Sequence, residues 1–133
     1  MKKLLAILLL SVTLFGANLD WSSDYEQALV DAKKENKLIY VFITSDNCKW
    51  CKKFANTTLQ DETIKKRLYS EFITINMSRD QHTIPKIFET APVPRHYFTD
   101  AQGNILYSSL GHRGVACFDA FMDNAQDKLK VSK

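Results

Sequence analysis

Several features that mark large protein classes are scarce or missing in this chain. It has only three cysteines in 133 residues, which is too few for the disulfide framework that stabilises many small exported domains. It contains no internal repeat or low-complexity tract. Its formal net charge is +3, and because Lys2 and Lys3 carry two of those charges, the rest of the chain is close to neutral. A near-neutral chain lacks the strongly basic face that nucleic-acid binding requires, so the composition argues against a nucleic-acid partner.

The chain also lacks an apolar run long enough to cross a bilayer as a helix. The run that follows Lys2 and Lys3 spans about a dozen residues, whereas a spanning helix needs roughly 20. A basic start followed by such a run is typical of a secretory signal. We therefore predict a signal peptide at residues 1–17 and one domain at residues 18–133, exported to the periplasm or an equivalent compartment. The residues around Ala17 match the small-residue pattern of a cleavage site poorly, so an uncleaved N-terminal anchor remains an alternative.

The most informative motif is Cys48-Lys49-Trp50-Cys51. It follows the apolar run 38–43, which is typical of a buried strand, and precedes helix-forming residues. This placement puts the first sulfur at a helix N-terminus, where the helix dipole and free backbone N–H groups favour a thiolate. The second cysteine lies one turn along and can close a disulfide. The motif therefore predicts a redox-active dithiol.

Zinc binding is the main alternative for the same motif. A tetrahedral zinc site needs two further cysteine or histidine ligands at suitable spacing. The remaining residues of these types are scattered singly along the sequence: His82, His96, His112 and Cys117. A strand followed by C-x-x-C and a helix is instead the context of a redox motif, which the sequence favours.

Hydrophobic spacing predicts the other elements. The capping box that starts at Ser23 opens an amphipathic helix, and Asp61 opens a second one after the motif helix. Predicted strands lie at 38–44, 72–77, 95–99 and 105–109, a single helical turn at 85–88, and a closing helix follows Gly111, with Val115, Phe118, Met122, Ala125 and Leu129 on its inner face. The order β–α–β, β-hairpin, α predicts an α/β fold with a central mixed sheet and helices on both faces.

This order, with C-x-x-C after the central strand and Val93-Pro94 just before the hairpin, resembles the thioredoxin superfamily. The segment from Trp21 to Phe54, which contains a C-x-W-C-K core, looks most like exported thioredoxin-like proteins of the anterior-gradient and periplasmic thiol:disulfide interchange types. The resemblance implies a thioredoxin fold in which Cys48 attacks and Cys51 resolves. It also implies a cis bond at Pro94, rather than at Pro92, with the Val93 backbone pairing with an extended substrate.

The chain departs from the superfamily at two positions. Phe42 stands where thioredoxins carry a buried acid that serves the resolving thiol, and Asn47 stands where they carry a tryptophan. Proton transfer must then involve water, Asp46 or another group. This departure points to slower exchange, isomerisation or a dedicated partner rather than fast general reduction.

Residues around the motif are expected to tune it. Lys49 favours the Cys48 thiolate by Coulomb attraction, and Asp46 opposes it. Trp50 is a candidate contact for apolar substrate segments. By resemblance, Gly111 and His112 belong to a glycine loop that flanks the disulfide, where His112 could exchange protons near the resolving thiol.

The other candidates have plainer interpretations. Arg95 and His96 are expected at ordinary strand positions, and His82 in a loop. Cys117 lies one position off the apolar line of the last helix and is predicted to be a buried, inert thiol.

The sequence thus predicts an exported thiol:disulfide oxidoreductase, closer to a reductase or isomerase than to an oxidase. No cofactor or metal is expected. The expected partners are cysteine-containing exported proteins and a membrane or soluble redox partner, and the chain is expected to be a monomer. Two alternatives remain, namely a soft-metal or haem-maturation dithiol chaperone and a non-catalytic binding module with a thioredoxin fold.

Overall fold

The computed structural model describes residues 19–132 of the chain. Four helices and four strands occur in the order predicted by the sequence. They are α1 (Tyr25–Glu35), β1 (Leu38–Thr44), α2 (Lys49–Asn56), α3 (Glu62–Glu71), β2 (Phe72–Ser78), β3 (Arg95–Thr99), β4 (Ile105–Leu110) and α4 (Val115–Val131), with a short 3₁₀ helix at Thr58–Gln60 between α2 and α3.

The strands form one mixed sheet in the order β2-β1-β3-β4. β1 runs parallel to β2, because α2 and α3 carry the chain across the sheet, and antiparallel to β3. The β3–β4 hairpin turns at Gly103, whose φ of 88° is a conformation that favours glycine. The central strand β1 therefore ends between β2 and β3, and the loop after it leads directly into α2.

Helices cover both faces of the sheet, as the sequence predicted. β1 is buried on both sides, and its alternate residues serve two separate cores. Leu38, Tyr40 and Phe42 pack with side chains from α2, α3 and α4. The residues between them, Ile39, Val41 and Ile43, pack with side chains from α1. The first of these cores also contains both cysteines of the motif.

Three local predictions were wrong. The cap of α1 is Asp24, whose carboxylate accepts from the Gln27 N–H, rather than Ser23. The segment 85–88 makes one turn, closed by the Phe88 N–H on the Pro85 carbonyl, and no helix. Val115 is 38% exposed instead of inward-facing, because it is the first residue of α4 and lies outside the packed part of the helix.

The predicted signal peptide at residues 1–17 lies outside the described residues. Within residues 19–132, no helix is both long enough and apolar enough to cross a membrane.

Candidate active site

Cys48 and Cys51 form a disulfide at the N-terminus of α2, with their Cα atoms 5.2 Å apart. Cys48 is the cap residue of the helix, in an extended conformation, and its Sγ accepts from the Cys51 N–H at 3.1 Å. The hydrogen bond places the first sulfur where an unpaired backbone donor of the helix points. Both cysteines are nearly buried, at 7% and 4% exposure.

Asp46 anchors the loop that leads into the motif. Its Oδ1 accepts from the Ser78 hydroxyl at 2.7 Å and from the Gln81 side-chain amide at 2.8 Å. Its own N–H donates to Asp80 Oδ2 at 2.7 Å. These bonds tie the chain before Cys48 to the end of β2, so Asp46 has a clear structural role. These partners could not be predicted from the sequence, because they lie at and after the end of a different strand.

Trp50 is half exposed and forms a platform beside the disulfide. The ammonium groups of Lys53 and Lys49 lie 5.1 and 6.0 Å from the centre of its ring. The His112 ring stacks against the indole at 6.1 Å between centroids, with 29° between the planes. The structure thus brings together three of the predicted residues, Trp50, Lys49 and His112, and adds Lys53, which supplies a cation within π-interaction range of the indole.

The loop from Gly111 to Gly114 is fixed at both sides. The Gly111 N–H donates to the Pro94 carbonyl at 2.8 Å, and the Thr58 hydroxyl donates to the Arg113 carbonyl at 2.6 Å. Gly111 has a φ of 91°, which a larger residue would adopt only with strain. Between these anchors, His112 meets Phe54 of α2 edge-on at 6.0 Å. Its Nδ1 is buried and has no hydrogen-bond partner among residues 19–132.

The segment before β3 contains two cis peptide bonds, Ala91–Pro92 and Val93–Pro94. The expected cis bond at Pro94 is therefore present, but the choice of Pro94 over Pro92 was wrong because both bonds are cis. Pro94 is buried, whereas Val93 is partly buried and packs against both cores. Arg95 braces the segment, since its guanidinium pairs with Glu89 at 2.7 Å and donates to the Ala91 carbonyl at 2.8 Å. The Gly111 bond to Pro94 joins this segment to the loop that carries His112.

His96 is the residue that sequence reasoning missed. It lies on β3 as expected, but its side chain is fully buried and opposite Phe42, with the two rings nearly parallel at 5.6 Å. Its Nε2 is 2.8 Å from the Gly111 carbonyl and its Nδ1 is 2.7 Å from the Tyr40 hydroxyl. A carbonyl only accepts, so this network assigns the proton to Nε2, and Nδ1 accepts from Tyr40.

Burial sets the protonation state of His96. Desolvation lowers its pKa from 6.5 to about 4, and the nearby charges of Arg113 and His112 act in the same direction, although the hydrogen bond to Gly111 opposes them. The imidazole is therefore neutral at neutral pH. The available signal in the sequence was its position two residues before the apolar Phe98, which places both side chains on the same side of the strand.

The prediction for Cys117 was wrong, because its thiol is free and exposed. It lies in the first turn of α4, next to the inward-facing Phe118, and one residue rotates the side chain about 100° around a helix. His82 does lie in a loop, where its Nδ1 accepts from the Ser78 N–H at 2.9 Å.

Within residues 19–132, no group of three histidine, cysteine or acidic side chains is arranged to hold a metal ion. A metal bound by Cys48 and Cys51 would need its other ligands from elsewhere. The arrangement of the described residues is suited to thiol–disulfide exchange, because it offers two cysteines one turn apart, with a backbone donor on the first.

The fold has close counterparts among solved structures. A structure named DsbH oxidoreductase is 24% identical, with a TM-score of 0.63 over 84% of this chain and 87% of that one. A thioredoxin from Thermus thermophilus is 20% identical, with a TM-score of 0.65 over 84% and 88% of the two chains. The oxidised C-terminal domain of DsbD from Neisseria meningitidis is 16% identical, with a TM-score of 0.61 over 79% and 99%. These likenesses establish a thioredoxin fold.

Sequence comparison agrees with the fold. The thioredoxin-like family model matches residues 20–101. Spermatogenesis-associated protein 20 of Homo sapiens is 28% identical over 72 residues, which are 53% of this chain and only 9% of that protein. Anterior gradient protein 3 of Xenopus tropicalis is 29% identical over 87 residues, which are 59% of this chain and 53% of that protein.

Proposed function

The chain belongs to the thioredoxin-like family, and on that premise we propose that it is an exported thiol:disulfide oxidoreductase of the reductase or isomerase type. The observation that carries the proposal is the Cys48–Cys51 disulfide at the N-terminus of α2. A thioredoxin-like fold with this cysteine pair indicates thiol–disulfide redox activity. The direction of exchange and the exported location are the finer parts of the proposal.

The reduced protein begins the reaction. The Cys48 thiolate attacks one sulfur of a substrate disulfide, forms a mixed disulfide and releases the other substrate sulfur as a thiolate, which takes up a proton. Cys51 then loses its proton and attacks Cys48 Sγ, which releases the second substrate thiol and leaves the Cys48–Cys51 disulfide. Two electrons pass from the protein to the substrate in each cycle. A membrane or soluble redox partner must then return two electrons and two protons to the protein.

The helix terminus explains why Cys48 is the attacking residue. In the reduced protein, the hydrogen bond from the Cys51 N–H and the positive end of the helix dipole both favour a charged sulfur at the cap position. Lys49 adds attraction through solvent. Cys51 lies inside the first turn and is suited to the second, resolving step.

The proton that Cys51 loses during resolution needs an acceptor, and the side chain of Phe42 has no group that can accept it. We assign this role to His112, since its Nδ1 is buried without a partner among residues 19–132 and its ring lies on Trp50 of the motif. In this role, the imidazole accepts the proton that Cys51 loses during resolution and returns it in the reverse direction.

The substrate surface is proposed to consist of Trp50 and Val93 on either side of the disulfide, with Gly111 and His112 at its edge. Pro94 fixes the segment that presents the Val93 backbone to an extended peptide. The proposed substrates are cysteine-containing exported proteins, which the monomeric chain contacts without a cofactor. The basic, apolar pattern of residues 1–17 supports the export part of the proposal.

The reduction potential of Cys48–Cys51 against a glutathione series tests the proposal. Cys117→Ser is needed as the background, because the exposed third thiol would form mixed disulfides. We expect a value between about −270 mV and about −180 mV, the range from thioredoxin to protein disulfide isomerase. A value of about −120 mV would indicate a disulfide donor and contradict the proposed direction. The absence of any reversible disulfide would contradict redox function and favour the metal chaperone or binding module.

A further inference from the structure

The exchange mechanism leaves one buried polar pair without a role, the hydrogen-bonded pair of Tyr40 and His96. Both side chains are fully buried. Tyr40 belongs to the core that contains the two cysteines, and the His96 ring lies against aromatic residues of the same core. Buried polar groups reduce stability unless they are hydrogen-bonded, and an apolar side chain would fill this site without that requirement. The position of the pair between β1, β3 and the Gly111–Gly114 loop suggests where it acts.

The ring of His96 is held in one orientation. It lies nearly parallel to Phe42 and meets Phe54 and Phe118 at steep angles, with centroids 4.7 and 5.8 Å away. Tyr40 completes the constraint by donating to Nδ1, which leaves the proton on Nε2. Because the ring can neither turn nor change tautomer without losing a hydrogen bond, it presents a fixed N–H donor at the surface of the core.

Among residues 19–132, that donor bonds to the Gly111 carbonyl and to no other backbone group. The Gly111 carbonyl accepts from His96 Nε2 while the Gly111 N–H donates to Pro94, so both polar atoms of this glycine are tied to the segment 94–96. The next residue is His112, whose ring stacks on Trp50. The path from the buried pair to the motif therefore passes through a single peptide unit.

We propose that His96, oriented by Tyr40, is a positioning residue that fixes the Gly111–Gly114 loop and thereby seats His112 on Trp50 beside the disulfide. The catalytic consequence rests on the proposed function, because the position of His112 on Trp50 affects the rate only if these residues take part in thiol–disulfide exchange. Its structural part is independent of that function. Holding a small catalytic loop with a buried donor is one way in which a rigid core pre-organises a site.

The exposure of Trp50 to a neutral quencher tests the structural part. With Trp21→Phe and Cys117→Ser as background, Trp50 is the sole tryptophan, and its acrylamide quenching constant reports whether His112 covers its ring. We expect His96→Leu to raise the constant to the value of a His112→Ala reference. We expect His96→Gln to stay near the parent value, because its side-chain amide can still donate to the Gly111 carbonyl.

Thr99→Val is the matched control. It also replaces a fully buried polar residue of β3 with an apolar one, but its hydroxyl donates to the Asp100 carbonyl, away from the loop. We expect it to leave the quenching constant unchanged, even if the melting temperature moves. A folded His96→Leu protein with parent-like quenching would overturn the proposal, and so would an equal rise in Thr99→Val.

Tyr40→Phe decides the question if His96→Leu does not fold. It removes only the hydroxyl from an aromatic cluster, so His96 Nδ1 loses its donor and the ring is held by the Gly111 hydrogen bond and packing alone. We expect a quenching constant between those of the parent and His112→Ala, and a parent-like constant would overturn the proposal.

Activity measurements then separate this proposal from the proposed function. With oxidised glutathione as substrate, we expect His96→Leu to lower kcat/KM about tenfold, which is a typical loss when a supporting group is displaced. We expect His96→Gln to retain most of the parent value. If the parent protein has no exchange activity, the proposed function fails while the quenching result still decides the role of His96. Raised quenching with unchanged kcat/KM would overturn the catalytic consequence alone.

Discussion

Phe42 and His96 lie opposite each other on β1 and β3, and together they determine which titratable group lies beneath the disulfide. Phe42 occupies the position where the resemblance places a buried acid, so no negative charge develops there. The titratable group of this pair is the imidazole opposite, which is neutral and bonded at both nitrogens. The core below the motif is therefore uncharged in both redox states, and proton exchange is assigned to the loop above it.

The buried imidazole predicts a specific dependence of stability on pH. The folded protein holds the pKa of His96 at about 4, against 6.5 for an ordinary histidine. The unfolded chain therefore binds more protons between these values, and stability rises with pH across this window. The contribution of His96 to the free energy of unfolding is complete above pH 6.5, falls as the pH decreases and is lost below pH 4. The pKa shift corresponds to a contribution of about 3 kcal/mol.

Urea unfolding at pH 7 and pH 4 checks this prediction. We expect the parent protein to lose about 3 kcal/mol more than His96→Leu between the two values, because the carboxylates titrate in both proteins. The groups that face the imidazole are Tyr40, His112 and Arg113, whereas α2 and α4 present Phe54 and Phe118. Equal losses in the two proteins would show that His96 does not titrate as the structure implies.

Single residues also show where sequence reasoning reaches its limit. The C-x-x-C motif could be assigned because a strand and a helix next to it in the sequence determine its chemistry. Cys117 was wrongly predicted to be buried, and the burial of His96 was not predicted, since the exposure of each depends on which way one turn of α4 faces or on what packs against β3. Such contacts join residues that are distant in sequence, and hydrophobic spacing does not report them.

At the scale of elements, α2 concentrates positive charge beside the disulfide. Lys49, Lys52 and Lys53 lie in its first two turns, and its first turn contains no acidic residue. Among residues 19–132, none of the three forms an ion pair. Asp46 and Asp80 are engaged in the loop before the helix. The α2 surface around Trp50, which we propose as part of the substrate surface, is therefore cationic.

This charge predicts a preference among small disulfides. We expect Lys49→Glu/Lys53→Glu to slow the reduction of anionic oxidised glutathione by about three- to tenfold at low salt and to speed that of cationic cystamine. Exposed charges act through solvent, so the effect should shrink toward 1 M salt, where the screening length is about 3 Å. Stopped-flow rates for both substrates give the measurement.

The control for this charge reversal is Lys33→Glu/Lys34→Glu in the last turn of α1, which covers the opposite face of the sheet. It changes the net charge equally but leaves α2 untouched. Equal effects from both double variants would mean that the preference reflects the charge of the whole molecule, and the local argument would fail.

Element boundaries were mostly predictable, for a physical reason. A cap, a hydrophobic period and a turn are local, and they located β1, α2, α3 and the β3–β4 hairpin correctly. The start of α1 was misplaced by one residue because Ser23 and Asp24 are both good caps. In the structure, Ser22 forms a bridge with Ile75 of β2, and its hydroxyl accepts from the Asp24 N–H just before the helix.

At the scale of the whole molecule, the order of elements was enough to predict a mixed sheet with helices on both faces. The observed strand order is β2-β1-β3-β4, in which β1 and β2 are neighbours and so are the two strands of the predicted hairpin, β3 and β4. The joining of the Pro94 segment, the Gly111–Gly114 loop and α2 into one site could not be derived from spacing. It arises where three chain segments meet, at the end of β1.

The proposed direction of exchange finally predicts how oxidation changes the stability of the whole domain. A thermodynamic cycle links the potential of Cys48–Cys51 to the difference in unfolding free energy between the oxidised and reduced proteins, with 30 mV equivalent to about 1.4 kcal/mol. A strong oxidant is one whose reduced form is stabilised, whereas a reductase gains stability on oxidation. In the Cys117→Ser background, we therefore expect the urea midpoint to be higher for the oxidised protein.

Cys48→Ser/Cys51→Ser should show no difference between oxidising and reducing buffer. A lower midpoint on oxidation would reverse the proposed direction, because the folded state would then drive the disulfide toward the substrate.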